Sequence, residues 1–209
     1  MAEPRVKDNR KFSYADYLTW PEGERWEIFE GEAVAMTPSP NPVHQEIVTN
    51  LVVQIGAFLQ GKPCKVYPAP LDVLLPDGEE RDEAVTTVVQ PDLLVVCDPA
   101  KVTRRGCRGA PDLVVEVLSP GSASRDHITK RRLYERHGVR EFWLIDPEER
   151  LVIAYRLTAK GRFGPPLILD GADLDLAPKP LPGLTVDFRK VFPPRPQVVR
   201  ESPAPYRPG

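Results

Sequence analysis

The sequence lacks the features that would insert the protein into a membrane or export it. None of its apolar runs approaches the ~20 residues that a membrane-spanning helix needs. Its first residues, MAEPRVKDNRKF, contain no apolar core of a secretion signal. We therefore expect a cytoplasmic protein with no membrane partner.

Cysteine is scarce. The three cysteines are Cys64, Cys97 and Cys107, and no two of them form a Cys-x-x-Cys pair. This pattern excludes a zinc site built from such pairs and does not predict a disulfide framework. Cys97 ends an apolar run, and free cysteine is among the most buried residue types, so we expect it to be a small core residue.

Neither sign of charge is in large excess, since the formal net charge is −2 and the pI is about 6.0. This balance does not indicate a general nucleic-acid binder. The charges are nevertheless unevenly spread. Residues 70–100 include eight acidic and one basic residue, whereas residues 101–140 include ten basic and four acidic ones. Because attraction of phosphate depends on the local field, the basic stretch is a candidate for backbone contacts, although most charge runs are solvated surface.

The 209 residues are enough for one domain with a substantial core. Apolar periodicity predicts an α/β domain at residues 13–192, with a mixed central β-sheet flanked by helices. Residues 1–12 are interpreted as an N-terminal arm. Residues 193–209 include six prolines among 17 residues and no apolar periodicity, so they are predicted to be a disordered tail.

The individual elements follow from periodicity, caps and turn residues. The predicted elements are a short helix at residues 14–20, a hairpin at Trp26–Phe29 and residues 32–36, a long helix at residues 42–60, an extended segment at residues 65–75, strands at residues 88–97 and 112–118, a helix at Ser124–His137, and strands at residues 141–145 and 151–157.

Two carboxylates interrupt the apolar strands: Asp92 in QPDLLVVC and Glu116 in PDLVVEVLS. A charge in a buried strand is costly unless it is paired or bound to a metal. If the two strands pair antiparallel with Cys97 opposite Pro111, then Asp92 falls directly opposite Glu116, with Cβ atoms ~5 Å apart. Two carboxylates at that separation repel each other. Hard oxygen ligands that leave water positions for substrate suit Mg²⁺ (or Mn²⁺).

Each acidic residue also has a structural interpretation. Asp92 follows Pro91, and Pro-Asp commonly forms turns, so a role at the start of the strand explains it equally well. Asp112 follows Pro111, and we expect it to have only a structural role at the start of its strand. For Glu116, midway along VVEVL, that interpretation is much weaker.

The helix after the second strand adds polar groups. Asp126, Lys130 and Tyr134 are spaced i, i+4 and i+8, so they lie on one face of the helix. Asp126 and Lys130 could also form an ordinary helix salt bridge, worth only about 0.3–0.5 kcal/mol. Arg131 and Arg132 could be solvated surface.

Several stretches of sequence occur together: WEIFEGEAVAMTP followed by PVHQEIVTNL, then VVQPDLLVVCD, then GAPDLVVEVLSPGSASRDHITKRRLYERHGVREFWLIDP. In combination they resemble the Uma-type restriction endonuclease family, also classed as a domain of unknown function, in the PD-(D/E)XK nuclease superfamily. The resemblance covers residues 14–192 and is most specific at residues 112–147. It implies a restriction-endonuclease-like fold with an acidic metal site on a central strand pair.

Carried over residue by residue, the resemblance implies that Asp92 and Glu116 are catalytic metal ligands and that the backbone carbonyl of Val117 is a third ligand. The lysine of the superfamily pattern is absent, since Leu118 stands in its place. Lys130 matches the lysine usual in the Uma-type helix. It would orient the attacking water and stabilise charge growing on the phosphorus. On this interpretation a Lys130→Met variant keeps near-normal stability and loses turnover.

Further residues are expected to surround this site. Candidate neighbours of the metal ligands are His44, Glu46, Asp126 and Tyr134, and for His44 we favour a structural or capping role. Candidate contacts to a nucleic-acid backbone, which position without reading sequence, are Arg104, Arg105, Arg108, Arg131 and Arg132.

The expected function is metal-dependent hydrolysis of phosphodiester bonds in nucleic acid, with DNA as the first choice of partner. One alternative is a nuclease fold that no longer cuts and serves as a binding module; the missing strand lysine favours it, and the joint presence of Asp92, Glu116 and Lys130 opposes it. A second alternative is a metal-dependent phosphoesterase with a non-DNA substrate, which suits the near-neutral charge. A homodimer would suit an enzyme that cuts both strands.

Overall fold

The computed structural model describes residues 10–21, 23–36, 41–119, 124–170 and 175–194, and for residues 124–127 only the backbone. The first nine residues of the predicted arm, and the predicted tail from residue 195, lie outside the described residues. Within the described part, three α-helices accompany two six-stranded sheets and a two-stranded ribbon. The helices are α1 (Tyr14–Tyr17), α2 (Pro42–Leu59) and α3 (Ser124–His137). None of them combines the length and hydropathy that crossing a bilayer requires.

The first sheet has the strand order β2-β1-β5-β4-β8-β7 and is mixed, because β4 and β8 run parallel while its other pairs run antiparallel. Its strands are β1 (Trp26–Phe29), β2 (Glu32–Ala35), β4 (Val73–Leu74), β5 (Val88–Val89), β7 (Val102–Thr103) and β8 (Gly106–Arg108). The hairpin of β1 and β2 turns at Glu30 and Gly31, with φ of 52° and 90°. Left-handed backbone at both positions matches the twist of the flanking strands.

The second sheet has the order β12-β11-β10-β9-β6-β3 and is also mixed, because β9 and β10 run parallel. Its strands are β3 (Lys65–Pro68), β6 (Leu93–Val96), β9 (Leu113–Val117), β10 (Glu141–Asp146), β11 (Leu151–Arg156) and β12 (Leu167–Leu169). The ribbon pairs β13 (Asp175–Leu176) with β14 (Val186–Asp187).

The predicted mixed central sheet is confirmed, and the structure adds a second six-stranded sheet beside it. The segment at residues 88–97, expected to be one strand, divides into β5 of the first sheet and β6 of the second. Pro91 lies at the division, and a proline offers no N–H to a sheet ladder. The same division places the residues on either side of Pro91 where the two sheets meet.

The second sheet is the centre of the fold, and alternate residues of its strands pack into different cores. On one face, Leu93, Val95 and Val115 pack with α2 and with the C-terminal segment around Phe188. On the other face, even-numbered residues such as Leu94 pack with α3 and the first sheet. Even-numbered positions of β6 and β9 therefore face α3.

A disulfide joins Cys64 to Cys97, which the sequence pattern did not predict. In the antiparallel pairing of β3 with β6, Lys65 lies opposite Val96. The next pair outward in that register is Cys64 and Cys97. Cys97 is therefore a half-buried disulfide partner rather than a free core thiol, whereas Cys107 is the free, buried cysteine of the described chain.

Reduction of the Cys64–Cys97 bond is expected to lower the free energy of unfolding by about 3 kcal/mol, because the bond closes a loop in the unfolded chain. The two cysteines are 33 residues apart in sequence. Urea unfolding with and without a reductant measures the change. A Cys64→Ala/Cys97→Ala double variant is the control and should not respond to the reductant. An unchanged unfolding midpoint on reduction of the parent protein would contradict the prediction.

Candidate active site

Asp92 and Glu116 lie at opposed positions on neighbouring strands. β6 and β9 pair antiparallel with Leu93 opposite Val115. One further step in that register places Asp92 opposite Glu116, and this is the register assumed from the sequence. Side chains at opposed positions share a face of the sheet, with Cβ atoms ~5 Å apart.

One oxygen of Asp92 is held in place by the protein. Its Oδ2 accepts a hydrogen bond of 2.8 Å from the backbone N–H of Val117 and lies 3.1 Å from Nε2 of His44. Among the described residues no hydrogen bond reaches Oδ1, and the side chain is 21% exposed. Asp92 is therefore anchored through one oxygen and can present the other to a ligand.

His44 occupies the first turn of α2, where its backbone N–H donates to the side chain of Asn41 at 2.9 Å. The capping group is thus Asn41, and the side chain of His44 turns inward to Asp92. The ring is almost fully buried, and its Nδ1 has no hydrogen-bond partner within the described part of the chain. The structure therefore gives His44 a direct contact with a candidate metal ligand, whereas the sequence favoured a capping role.

Glu116 is buried and makes polar contacts through both oxygens, since the ammonium of Lys130 donates to Oε2 at 3.3 Å. The hydroxyl of Tyr134 donates to Oε1 at 2.7 Å, and the ammonium of Lys130 lies 3.2 Å from it. Burial raises the pKa of the Glu116 carboxyl to about 8; Lys130 acts in the opposite direction, and the charges of Asp92 and Glu27 raise the pKa further. Both Lys130 and Tyr134 project from α3 to this face, as their helical spacing allows.

Glu27, on β1 of the first sheet, is a member of this cluster that was not predicted from the sequence. It is 5% exposed, and its Oε1 lies 3.1 Å from Nζ of Lys130 and accepts the backbone N–H of Gln90 at 2.9 Å. An acidic residue inside the apolar strand WEIF was the available signal, the same kind that identified Glu116. Among the described residues the cluster contains three carboxyl groups and one lysine, an excess of acidic groups that favours a divalent cation.

The carbonyl of Val117 fits the role of a main-chain ligand. In an extended strand the N–H and C=O of one residue point to the same side, and the N–H of Val117 points to Asp92. The residue opposite Val117 in the register is Pro91, which has no N–H to donate. The ladder between these two strands therefore offers this carbonyl no donor.

Among the described residues, no group of three or more His, Cys, Asp or Glu side chains is arranged to hold a metal ion. A metal here would take two carboxylates, one carbonyl, and water or substrate oxygens. Mg²⁺ commonly binds through one or two carboxylates and keeps several waters, so the residues present fit that ion. Leu118 donates its N–H to the carbonyl of Ile145 in the neighbouring strand.

One further predicted neighbour, Glu46, is not brought to the site. Glu46 is exposed on α2 and makes no contact with Asp92 or Glu116 in the described structure. The side chain of Asp126 lies outside the described residues. The aspartate after the second Pro-Asp dipeptide, Asp112, has the structural role expected of it: it accepts the N–H of Cys97 at 2.7 Å.

The five candidate nucleic-acid contacts have different surroundings. Arg105 pairs with Glu83, and Arg108 lies 3.3 Å from Asp82, so the acidic loop that precedes β5 neutralises part of the basic loop. The guanidinium of Arg131 lies 5.0 Å from the centre of the Tyr155 ring. Arg104 and Arg132 are exposed and make no ion pair among the described residues.

Mixed sheets accompanied by few helices form an α/β, restriction-endonuclease-like fold. A crystal structure of a protein from Anabaena variabilis, described as "a putative nuclease belonging to DUF820", matches it with a TM-score of 0.69 at 21% identity, over 87% of this chain and 97% of that chain. Residues 14–189 match the family model described as "Uma2: Putative restriction endonuclease". The chain therefore belongs to the Uma2 family. It is also 29% identical over 137 residues to "Uncharacterized protein slr1290" of Synechocystis sp., covering 65% of this chain and 68% of that protein.

Proposed function

We propose that this protein is a nuclease that hydrolyses phosphodiester bonds in nucleic acid, DNA in the first place, with Mg²⁺ (or Mn²⁺). The observation that carries the proposal is the convergence at one point of the second sheet: Asp92 and Glu116 oppose each other, and α3 brings Lys130 against Glu116. Membership of the Uma2 family and the likeness to a nuclease structure support it.

The proposed metal ligands are Asp92, Glu116 and the carbonyl of Val117. When bound, the ion would polarise a phosphodiester oxygen and lower the pKa of a water molecule. The protein's own part begins with Asp92, whose Oδ2 is fixed by Val117 and His44 so that Oδ1 is directed to the ligand. Tyr134 fixes the orientation of Glu116 by donating to its Oε1.

Lys130 would stabilise the negative charge that grows on the phosphoryl group and orient the attacking water. Its side chain is only 8% exposed, so little water screens its charge. Positioned donors and charges of this kind usually contribute more to such catalysis than any other effect, because they need no reorganisation during the reaction. A lysine supplied by α3 therefore replaces the strand lysine that Leu118 displaces.

Incubation of the purified protein with plasmid, single-stranded DNA, RNA and a small phosphodiester, each with Mg²⁺, Mn²⁺ or a chelator, tests the proposal. Cleavage of a nucleic acid with metal, and none with the chelator, is the expected result. Binding without cleavage under all conditions would favour a binding module. Hydrolysis of the small phosphodiester alone would indicate a phosphoesterase with a different substrate.

An Arg132→Met variant is expected to bind DNA more weakly and with a salt dependence shallower by about one counter-ion, because Arg132 is exposed on α3 and makes no ion pair among the described residues, so its charge is available to a phosphate. Affinity measured in chelator at several salt concentrations gives both quantities. The rate at saturating DNA should change little. The control is Arg189→Met, an exposed arginine that pairs with Asp175 and Asp187. Equal losses in the two variants would mean that only net charge matters.

A further inference from the structure

Glu27 is a buried carboxylate at the site with no part in the reaction proposed above. It contacts the ammonium of Lys130, which also contacts Glu116, at distances of 3.1 and 3.2 Å. The ammonium is thus held between a carboxylate of the first sheet and a carboxylate of the second. The polar groups around Glu27 explain why it can hold that position.

The backbone N–H of Gln90 donates to Glu27, and the side chain of Gln90 is itself fixed by three neighbours. Its Oε1 accepts two hydrogen bonds from Arg25, at 3.0 and 3.2 Å. Its Nε2 donates to Asp72 at 2.8 Å and to the hydroxyl of Tyr17 at 3.0 Å. A network within the first sheet therefore sets the position of the carboxylate that meets Lys130.

We propose that Glu27 is a positioning residue that holds the ammonium of Lys130 against Glu116, an inference that rests on the proposed nuclease function. A lysine at position 118 would sit on the same short strand as Glu116 and would need no further support. Lys130 instead reaches the site from α3 on a flexible four-carbon stem. A second carboxylate on the opposite side restricts that stem to one place. The absence of a lysine at position 118 and the presence of a buried carboxylate at Glu27 thus have the same explanation.

Glu141 provides a matched control elsewhere in the second sheet. It too is a buried strand carboxylate that accepts one backbone N–H, from Lys179 at 2.8 Å, and pairs with one cation, Arg156; it also accepts the indole N–H of Trp143 at 2.8 Å. In the parallel register of β9 with β10, Glu141 lies beside Leu113. It is therefore three residues, ~10 Å, along the sheet from the level of Glu116.

The first test compares Glu27→Gln with Glu141→Gln. Glutamine keeps the shape of the side chain and an oxygen to accept the N–H of Gln90, and it removes the negative charge that faces Lys130. Glu27→Gln is expected to lower kcat by roughly 10- to 100-fold. A loss of this size is typical when a catalytic group is misplaced by about 1 Å. KM for DNA and the metal concentration at half-maximal binding, measured by calorimetry, should change little. Glu141→Gln should leave kcat unchanged; equal kcat losses in both variants would overturn the inference.

The second test is a double-mutant cycle between Glu27→Gln and Lys130→Met, measured on kcat and on urea unfolding. If Glu27 acts through Lys130, Glu27→Gln has little further effect on kcat once Lys130 is methionine. Glu27→Gln should also lower the free energy of unfolding less in the Lys130→Met variant than in the parent protein. In that variant it removes one of two buried carboxylates that have lost their cation. Additive effects on both quantities would overturn the inference.

The outcomes separate this inference from the proposed function. A parent protein that cleaves no nucleic acid overturns the proposed function, and with it the catalytic role of Glu27. The unfolding cycle needs no activity and decides independently whether Glu27 and Lys130 are coupled. If Lys130→Met does not fold, the comparison of Glu27→Gln with Glu141→Gln decides the matter.

Discussion

An Asp92→Asn variant is expected to cleave nucleic acid roughly 10³-fold more slowly than the parent, or not at all, with its fold intact. Asparagine can place its oxygen where Oδ2 stands and keep the contacts with Val117 and His44. Its amide nitrogen then occupies the place of Oδ1. A nitrogen that carries two hydrogens repels a metal ion, so the change removes the proposed ligand while leaving its support in place.

The same substitution is expected to leave the free energy of unfolding unchanged or slightly higher. The charge of Asp92 raises the pKa of buried Glu116, which means that the two carboxylates repel each other in the folded protein. Removing one charge relieves that repulsion. Loss of activity without loss of stability, measured by initial rates and urea unfolding, would separate a functional role for Asp92 from a structural one.

Asp112→Asn is the matched control, because Asp112 also follows a proline at the start of a strand and also accepts a backbone N–H, from Cys97. It lies at the end of β9 remote from Glu116 and pairs with Arg140 at 3.0 Å. It should lower stability and leave the rate unchanged. If Asp92→Asn lowered stability in the same way and kept full activity, Asp92 would be a turn residue, as Pro-Asp alone suggested.

The register of the central strand pair could be predicted because both runs are mostly apolar and few charges interrupt them. A single assumption, that Cys97 lies opposite Pro111 and hence Asp92 opposite Glu116, then fixes every pair between β6 and β9. The division of residues 88–97 between two sheets could not be predicted in the same way. Val88 and Val89 are as apolar as the residues of β6, and only Pro91 separates the two strands. Periodicity shows which residues are buried but not which sheet they join.

The candidate site was predictable where a charge interrupts a long apolar run, as at Glu116. Glu27 has the same character, but its strand has only four residues and its partner Lys130 is about a hundred residues further along the chain. A pairing at that separation leaves no local pattern. The Cys64–Cys97 bond was hidden for a similar reason, because it depends on the register of β3 and β6 rather than on spacing.

A Lys130→Met variant is expected to lose roughly 100-fold or more of the cleavage rate and also to lose stability. A rate loss of roughly 100-fold is the usual effect of removing one positioned electrostatic stabiliser. The sequence predicted near-normal stability, because the substitution leaves the two carboxylates untouched. The structure buries Lys130 between Glu27 and Glu116, so methionine leaves two buried carboxylates without their cation. Breaking a buried ion pair in this way costs about 3–5 kcal/mol.

The pH dependence of the stability loss in Lys130→Met identifies its cause. Burial, opposed by Lys130, already raises the pKa of Glu116 to about 8, and removing the ammonium raises it further. A carboxyl whose pKa is raised in the folded state binds a proton more tightly there, so stability falls as pH rises from the unfolded pKa towards the folded one. The deficit of Lys130→Met, measured by urea unfolding in chelator, should therefore be smaller near about pH 7 and larger near about pH 9, because Glu116 of the parent ionises above about pH 8 whereas Glu116 of the variant stays protonated. A deficit equal at both values would mean that methionine disturbs packing on α3 rather than charge, and full activity in this variant would remove Lys130 from the mechanism.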